Sequence, residues 1–130
     1  MAVHKILIEE FLQLAKLNPV LDVRSPGEYQ HASIPDAYSL PLFSDEERKI
    51  VGTAYKQQSR KIAIKIGLDY FGIKMRPMVE EVEKLFEKTG QKETPETQQV
   101  VLVHCWRGGM RSAGVAWLLD LYGSLIFPGQ

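Results

Sequence analysis

Four consecutive aliphatic residues, Val100 to Val103, run straight into His104 and Cys105, then Trp106, Arg107, Gly108 and Gly109, before a helical pattern starts at Arg111. A strand with no polar residue on either face has to be buried on both. That is the situation of an inner strand in a parallel sheet covered by helices. Shorter apolar runs at residues 3–6, 20–23 and 38–40, and another at 125–127, alternate with helix-period segments. This alternation predicts an α/β domain with a mainly parallel central sheet of about five strands and helices on both faces.

The helical segments carry their own boundaries. Residues 8–17 place Phe11, Leu12 and Ala15 on one face before Asn18-Pro19. Ser25, Pro26 and Glu28 read as N-cap, first-turn proline and capping-box glutamate of a short helix, and Ser44 with Glu47 repeats the signal. The region from Asp45 to Phe71 is helical in character, with breaks expected near Gly52 and Gln57 and an end near Gly72. A separate helix is expected over residues 77–88, then a polar surface loop over 90–99 containing Pro95. In the last helix, 111–122, Val115, Leu118, Leu119 and Tyr122 form the expected core stripe, widened by Trp117 and Leu121, with Gly123 as C-terminal cap.

Composition removes several function classes. Sixteen basic and sixteen acidic residues cancel, so any nucleic-acid contact must come from a local patch. One cysteine and three scattered histidines give neither an internal disulfide nor a metal-ligand spacing, and no metal is expected. No apolar run approaches a membrane span, which predicts a cytoplasmic chain without membrane contact. There is no G-x4-G-K-[ST] sequence in these 130 residues, and a single domain is expected over all of them.

The chemistry is concentrated in VVLVHCWRGGMRS, residues 100–112. A strand, a tight loop and a helix N-terminus in that order place Cys105 in the crevice beyond the carboxyl ends of the strands, where ligands of open α/β sheets bind. The loop amides, the helix dipole, Arg107 and Arg111 all favour a thiolate there. Gly108 and Gly109 let the backbone wrap closely around an anion. The candidate nucleophile is therefore Cys105, and Trp106, Arg107, Gly108, Gly109, Met110 and Arg111 form the candidate anion- and substrate-binding loop. Arg111 is expected to grip two oxygens of a tetrahedral anion and Arg107 to act nearer the mouth. An isolated cysteine after an apolar run is more often a small core residue. Two guanidinium groups beside a glycine pair reverse that balance, because they are costly to bury without an anion. His104 reads as a hydrogen-bonded structural histidine, Trp106 as a lid or a packing residue, and Trp117 as core.

LDVRSPGEY, residues 21–29, and IPDA, residues 34–37, resemble the D-x-R-[ST]-x-x-E-[FY] and I-P-G-A motifs of rhodanese domains, with Asp36 in place of the glycine and Ala32-Ser33 where Gly-His is usual. Cys105 matches the catalytic cysteine of that family. LPLFSDEERKIVGTAYKQ, residues 40–57, together with CWRGGMRS, residues 105–112, is similar in particular to the N-terminal domain of the tRNA 2-selenouridine synthase family. The resemblance implies a rhodanese fold, a sulfur- or selenium-transfer role, selenophosphate as donor and no cofactor in this domain. It also implies tRNA as partner of the full-length protein and a C-terminal P-loop domain in the same parent chain, of which this would be the N-terminal fragment. The family exchanges sulfur for selenium in wobble 2-thiouridine, and is also associated with its geranylation.

Two other readings stand beside it. The spacing His104-Cys105-x5-Arg111-Ser112 equally fits the H-C-x5-R-[ST] loop of cysteine-dependent phosphatases and arsenate reductases, one residue longer than the C-x4-R of common single-domain sulfurtransferases. A phosphatase also needs a general acid, and neither Asp36 nor Asp45 stands in an acid motif. The second is a non-catalytic rhodanese interaction module. Asp22, Arg24 and Glu28 read as structural, with Arg24 bridging the two carboxylates. Lys56, Arg60, Lys61, Lys65, Lys74 and Arg76 suit RNA phosphates or a solvated helix face.

Overall fold

The structure is a computed structural model in which residues 6–89, 100–105, 110–122 and 125–128 are described. Its sheet has four strands, β1 (Val20–Asp22), β2 (Tyr38–Ser39), β3 (Val100–His104) and β4 (Leu125–Pro128), in the order β2-β1-β3-β4. Every pairing is parallel, with Leu21 opposite both Tyr38 and Val103, and Leu102 opposite Phe127. The expected strand at residues 3–6 lies outside the described residues except for Ile6.

Strand alternation sorts the core into two layers. Leu21, Val23, Val101 and Val103 point into the larger cluster, while Val20 and Leu102 join Ile6, Phe11 and Ala37 on the other face. The smaller layer is closed by α1 (Ile8–Leu14), shorter than the expected 8–17, and by Tyr29 of α2 (Pro26–His31). The larger layer is closed by α3 (Asp45–Gln57), α4 (Arg60–Thr89) and α5 (Met110–Tyr122).

Both expected capping boxes are present, at Ser25/Glu28 and Ser44/Glu47. Asp45 also accepts the Gly27 N–H at 2.8 Å, so close that a Cβ on Gly27 would lie 2.9 Å from the carboxylate. Asp36 has φ 64°, the left-handed region that explains a glycine at this point of the I-P-G-A motif. The Tyr29 hydroxyl donates to the Ala37 carbonyl at 2.6 Å and ties that turn to α2.

The helical middle differs from expectation in three places. Gly52 lies inside α3, whose C-cap is Gln58; Gly72 and Pro77 lie inside α4, one continuous 30-residue helix where two were expected. An interior glycine costs only about 1 kcal/mol relative to alanine, and burying Phe71, Met78, Val82, Leu85 and Phe86 along one face outweighs that. Pro77 is on the exposed side, so the carbonyl it leaves without a helical partner faces water. In α5, Val115, Leu118 and Leu119 are buried as expected, but Trp117, Leu121 and Tyr122 are 54%, 71% and 49% exposed. The apolar face of α5 is simply narrower than its composition suggests, because the sheet covers only one side of it. The 90–99 loop and Gly123 lie outside the described residues.

Candidate active site

The chain leaves β1 through α2 towards β2 on one side, and leaves β3 through α5 towards β4 on the other. Neighbouring strands whose connections part in this way open a crevice at their carboxyl ends. Two segments border that crevice, Val23 to Glu28 after β1 and, after β3, Cys105 together with Met110 to Ser112 at the start of α5. The backbone joins them directly, with the Val23 N–H donating to the His104 carbonyl at 3.0 Å.

The alternation of β3 continues past its end. Cys105 is half-buried against the larger cluster. His104 faces the other layer, with its ring 6.2 Å from that of Phe11. Burial lowers the pKa of His104, an effect Asp22 opposes and Arg24 and Arg111 reinforce, so this histidine is held neutral. The Cys105 sulfur receives the Ser112 backbone N–H at 3.3 Å, and the Ser112 hydroxyl oxygen lies 3.2 Å from it. Both groups belong to the first turn of α5, whose free N–H groups and dipole favour negative charge at this point. The sulfur is thus flanked by the N–H and the hydroxyl of a single residue at a helix start, an arrangement suited to a nucleophilic cysteine.

The turn after β1 supplies charge. Arg24 and Asp22 form a buried pair, 3% and 0% exposed, with Nη2 2.7 Å from Oδ2 and Nε 3.0 Å from Oδ1. Nη2 also donates to the Ala32 carbonyl at 2.6 Å. Pairing with Asp22 raises the Arg24 pKa and keeps it charged; the field of Cys105 adds to this. A buried, paired cation is therefore close enough to Cys105 for the two groups to interact electrostatically.

Glu28 binds the two turns together. Its Oε1 accepts the Ser25 N–H at 3.1 Å and lies 2.7 Å from Arg111 Nη1, while Oε2 lies 3.3 Å from Nη2. Arg48 Nε approaches the same Oε1 at 3.2 Å. Burial opposes ionisation of Glu28, but hydrogen bonds from Arg111 and Ser25 outweigh it and lower the pKa from 4.5 to about 2.

Of the residues expected in the site, Cys105, Met110 and Arg111 are placed at this crevice; Trp106, Arg107, Gly108 and Gly109 lie outside the described residues. The planar fork of Arg111 is engaged by Glu28, where an open cradle was expected. Glu28, read from sequence as a partner of Arg24, does help to hold Arg24 charged through its field, and its carboxylate also engages Arg111. Ser112 and Arg48 were not among the expected site residues. Ser112 was legible in the H-C-x5-R-[ST] spacing, and Glu28 in a capping-box position at the carboxyl end of a strand; nothing in the sequence pointed to Arg48. Asp45, considered as a general acid, caps α2.

Arg111 and Met110 also line a cleft of about 770 Å³ between α3, α4 and α5. Its floor includes Phe43 and Phe71, and Trp117, expected in the core, stands in its wall. Among the described residues, no three His, Cys, Asp or Glu side chains converge as for a metal ion, and no helix is long and apolar enough to cross a membrane.

Residues 7–127 match the rhodanese-like domain family. The chain is 35% identical over 122 residues to tRNA 2-selenouridine synthase of Bdellovibrio bacteriovorus, covering 92% of this chain and 30% of that protein. It is 38% identical over 104 residues to the enzyme of the same name from Hydrogenovibrio crunogenus, covering 78% and 26%. The chain thus spans less than a third of the length of these relatives. A crystal structure of the N-terminal domain of a candidate ATP/GTP binding protein from Clostridium difficile 630 superposes with a TM-score of 0.80 at 32% identity, covering 98% of this chain and 91% of that one. With its parallel sheet, its cysteine beyond β3 and these relatives, the chain belongs to the rhodanese-like domain family.

Proposed function

We propose that this chain is the cysteine-bearing domain of a cytoplasmic tRNA 2-selenouridine synthase, and that Cys105 is its nucleophile. The observation that carries the reading is the Sγ of Cys105, half-buried at the strand end and facing both the N–H and the hydroxyl of Ser112. In this reading the domain works with a P-loop domain of the same parent chain, and wobble 2-thiouridine of tRNA becomes 2-selenouridine with selenophosphate as donor.

The donor chemistry follows from oxidation state. With thiosulfate, the Cys105 thiolate attacks the outer sulfur; the S–S bond breaks, sulfite leaves with the electron pair, and a persulfide forms. The selenium of selenophosphate is already fully reduced, so the balanced step is attack at phosphorus. A Cys105 thiophosphoryl ester forms, the P–Se bond breaks, and selenide leaves with the electron pair. Hydrogen selenide is acidic enough for its anion to leave unprotonated, so this step needs no aspartic general acid. A loop of phosphatase length and the absence of an acid motif fit this chemistry together.

Intact-mass spectrometry tests the reading. Thiosulfate should add one sulfur, and selenophosphate one phosphoryl group with selenide in solution, to the wild type but not to Cys105→Ser. Efficient hydrolysis of an aryl phosphate that depends on Cys105 would put the phosphatase reading first; no adduct with either donor would favour the interaction-module reading.

A further inference from the structure

We infer that the cleft between α3, α4 and α5 is a binding site for single-stranded RNA, with a base between the exposed rings of Tyr55 and Trp117 and the backbone phosphates on Lys56 and Arg60. This places the tRNA partner of the proposed function on this domain, and rests on that reading for the identity of the RNA.

Three observations carry it. The first is charge. The cleft is lined by four cations, Arg48, Lys56, Arg60 and Arg111, and one carboxylate, Glu28, although the chain as a whole is neutral. The second is how the basic stretch divides. Lys74 is bound by Glu47 and the Leu42 carbonyl, and Arg76 pairs with Glu80. Lys56, Arg60, Lys61 and Lys65 have no carboxylate within ion-pair distance among the described residues. Three of these four stand in the first two turns of α4, where a helix dipole disfavours cations. No carboxylate of the described residues compensates them, and an external anion would.

The third is the lining itself. Tyr55 and Trp117 are 58% and 54% exposed although both border an apolar cleft with Phe43 and Phe71 in its floor. Exposed rings beside unpaired cations are what a single strand uses, since every base has a stacking face and every linkage a phosphate. A duplex would hide its bases from these rings, and a lipid surface or acidic peptide would leave them without a stacking partner. Arg111 lines the cleft, and its neighbour Ser112 touches the Cys105 sulfur, so the cleft borders the segment that carries the cysteine.

Fluorescence anisotropy with the 130-residue protein and a labelled single-stranded oligouridylate tests this. Trp117→Ala and, independently, Tyr55→Ala should each weaken binding by about tenfold without changing its salt dependence. The Lys56→Ala/Arg60→Ala pair should weaken binding and flatten the slope of log K against log salt by about 1.4, two contacts at about 0.7 each. Duplex RNA of equal length and phosphatidylserine vesicles should bind at least about tenfold more weakly than the single strand. Equal binding by wild type and all variants, equal binding of duplex or vesicles, or no RNA binding by the wild type would overturn the inference. Donor loading of Cys105 in the same wild-type sample separates the two ideas. Loading without RNA binding removes the cleft proposal alone, and RNA binding without loading supports the cleft while removing the nucleophile.

Discussion

The two turns that meet at the carboxyl ends of β1 and β3 handle charge in opposite ways. After β1, every charge has its counter-charge inside the fold: Asp22 holds Arg24, and Glu28 receives Ser25 and Arg111. After β3, the half-buried sulfur of Cys105 meets uncharged polar groups: it accepts the Ser112 N–H and lies 3.2 Å from the Ser112 hydroxyl at the start of α5. The first segment is an internally neutral frame, and the second sets a backbone N–H, a hydroxyl and a helix N-terminus beside the sulfur.

The largest expected effect comes from breaking the frame. Asp22→Ala removes the carboxylate that grips buried Arg24 through two nitrogens, and chemical denaturation should show a loss of about 3–5 kcal/mol. A loss of less than about 1 kcal/mol would mean that Arg24 finds other acceptors and that the frame is not built on this pair.

Next is the tie between the turns. The Glu28 pKa is lowered from 4.5 to about 2 in the folded chain, so its contribution is complete above about pH 4.5 and is lost as the pH falls through 2. Allowing for solvent screening, that contribution is about 1–2 kcal/mol. Glu28→Gln should be less stable than wild type by this amount at pH 7, with the two curves converging towards pH 2. Parallel curves over that range would show that the carboxylate does not titrate against Arg111.

A smaller effect sharpens the other side of the comparison. Ser112→Ala removes the hydroxyl but keeps the N–H, and should slow iodoacetamide alkylation of Cys105 at pH 7 by about tenfold, as expected for one hydrogen bond to a charged group. Global stability should change by less than about 1 kcal/mol. An unchanged alkylation rate would assign the support of the thiolate to the N–H and the dipole alone.

Much of this was legible before the structure. A run of four aliphatic residues predicted the doubly covered strand β3, and the capping pairs Ser25/Glu28 and Ser44/Glu47 marked two helix starts correctly. Breaks at Gly52, Gly72 and Pro77 were not found, because local propensity costs of about 1–3 kcal/mol are overridden when a long helix buries a face against the sheet. The spacing of Cys105 and Arg111 marked the segment between β3 and α5 as the candidate site. The partner of Arg111 was not, since Glu28 is 83 residues away and a capping-box glutamate already has a local explanation. Trp117 was misplaced for a related reason: periodicity marks it as apolar, but only the packing of α3 and α4 decides whether that face meets the core or a cleft.

The central claim, that Cys105 is a nucleophile set against an internally neutral frame, is tested most directly by the first turnover with thiosulfate. Rapid mixing of excess thiosulfate with the 130-residue protein should release one sulfite per chain in a burst, with the persulfide on Cys105, and the burst should be absent in Cys105→Ser. A burst of equal size in Cys105→Ser, or none in the wild type while Cys105 is freely alkylated, would contradict the account.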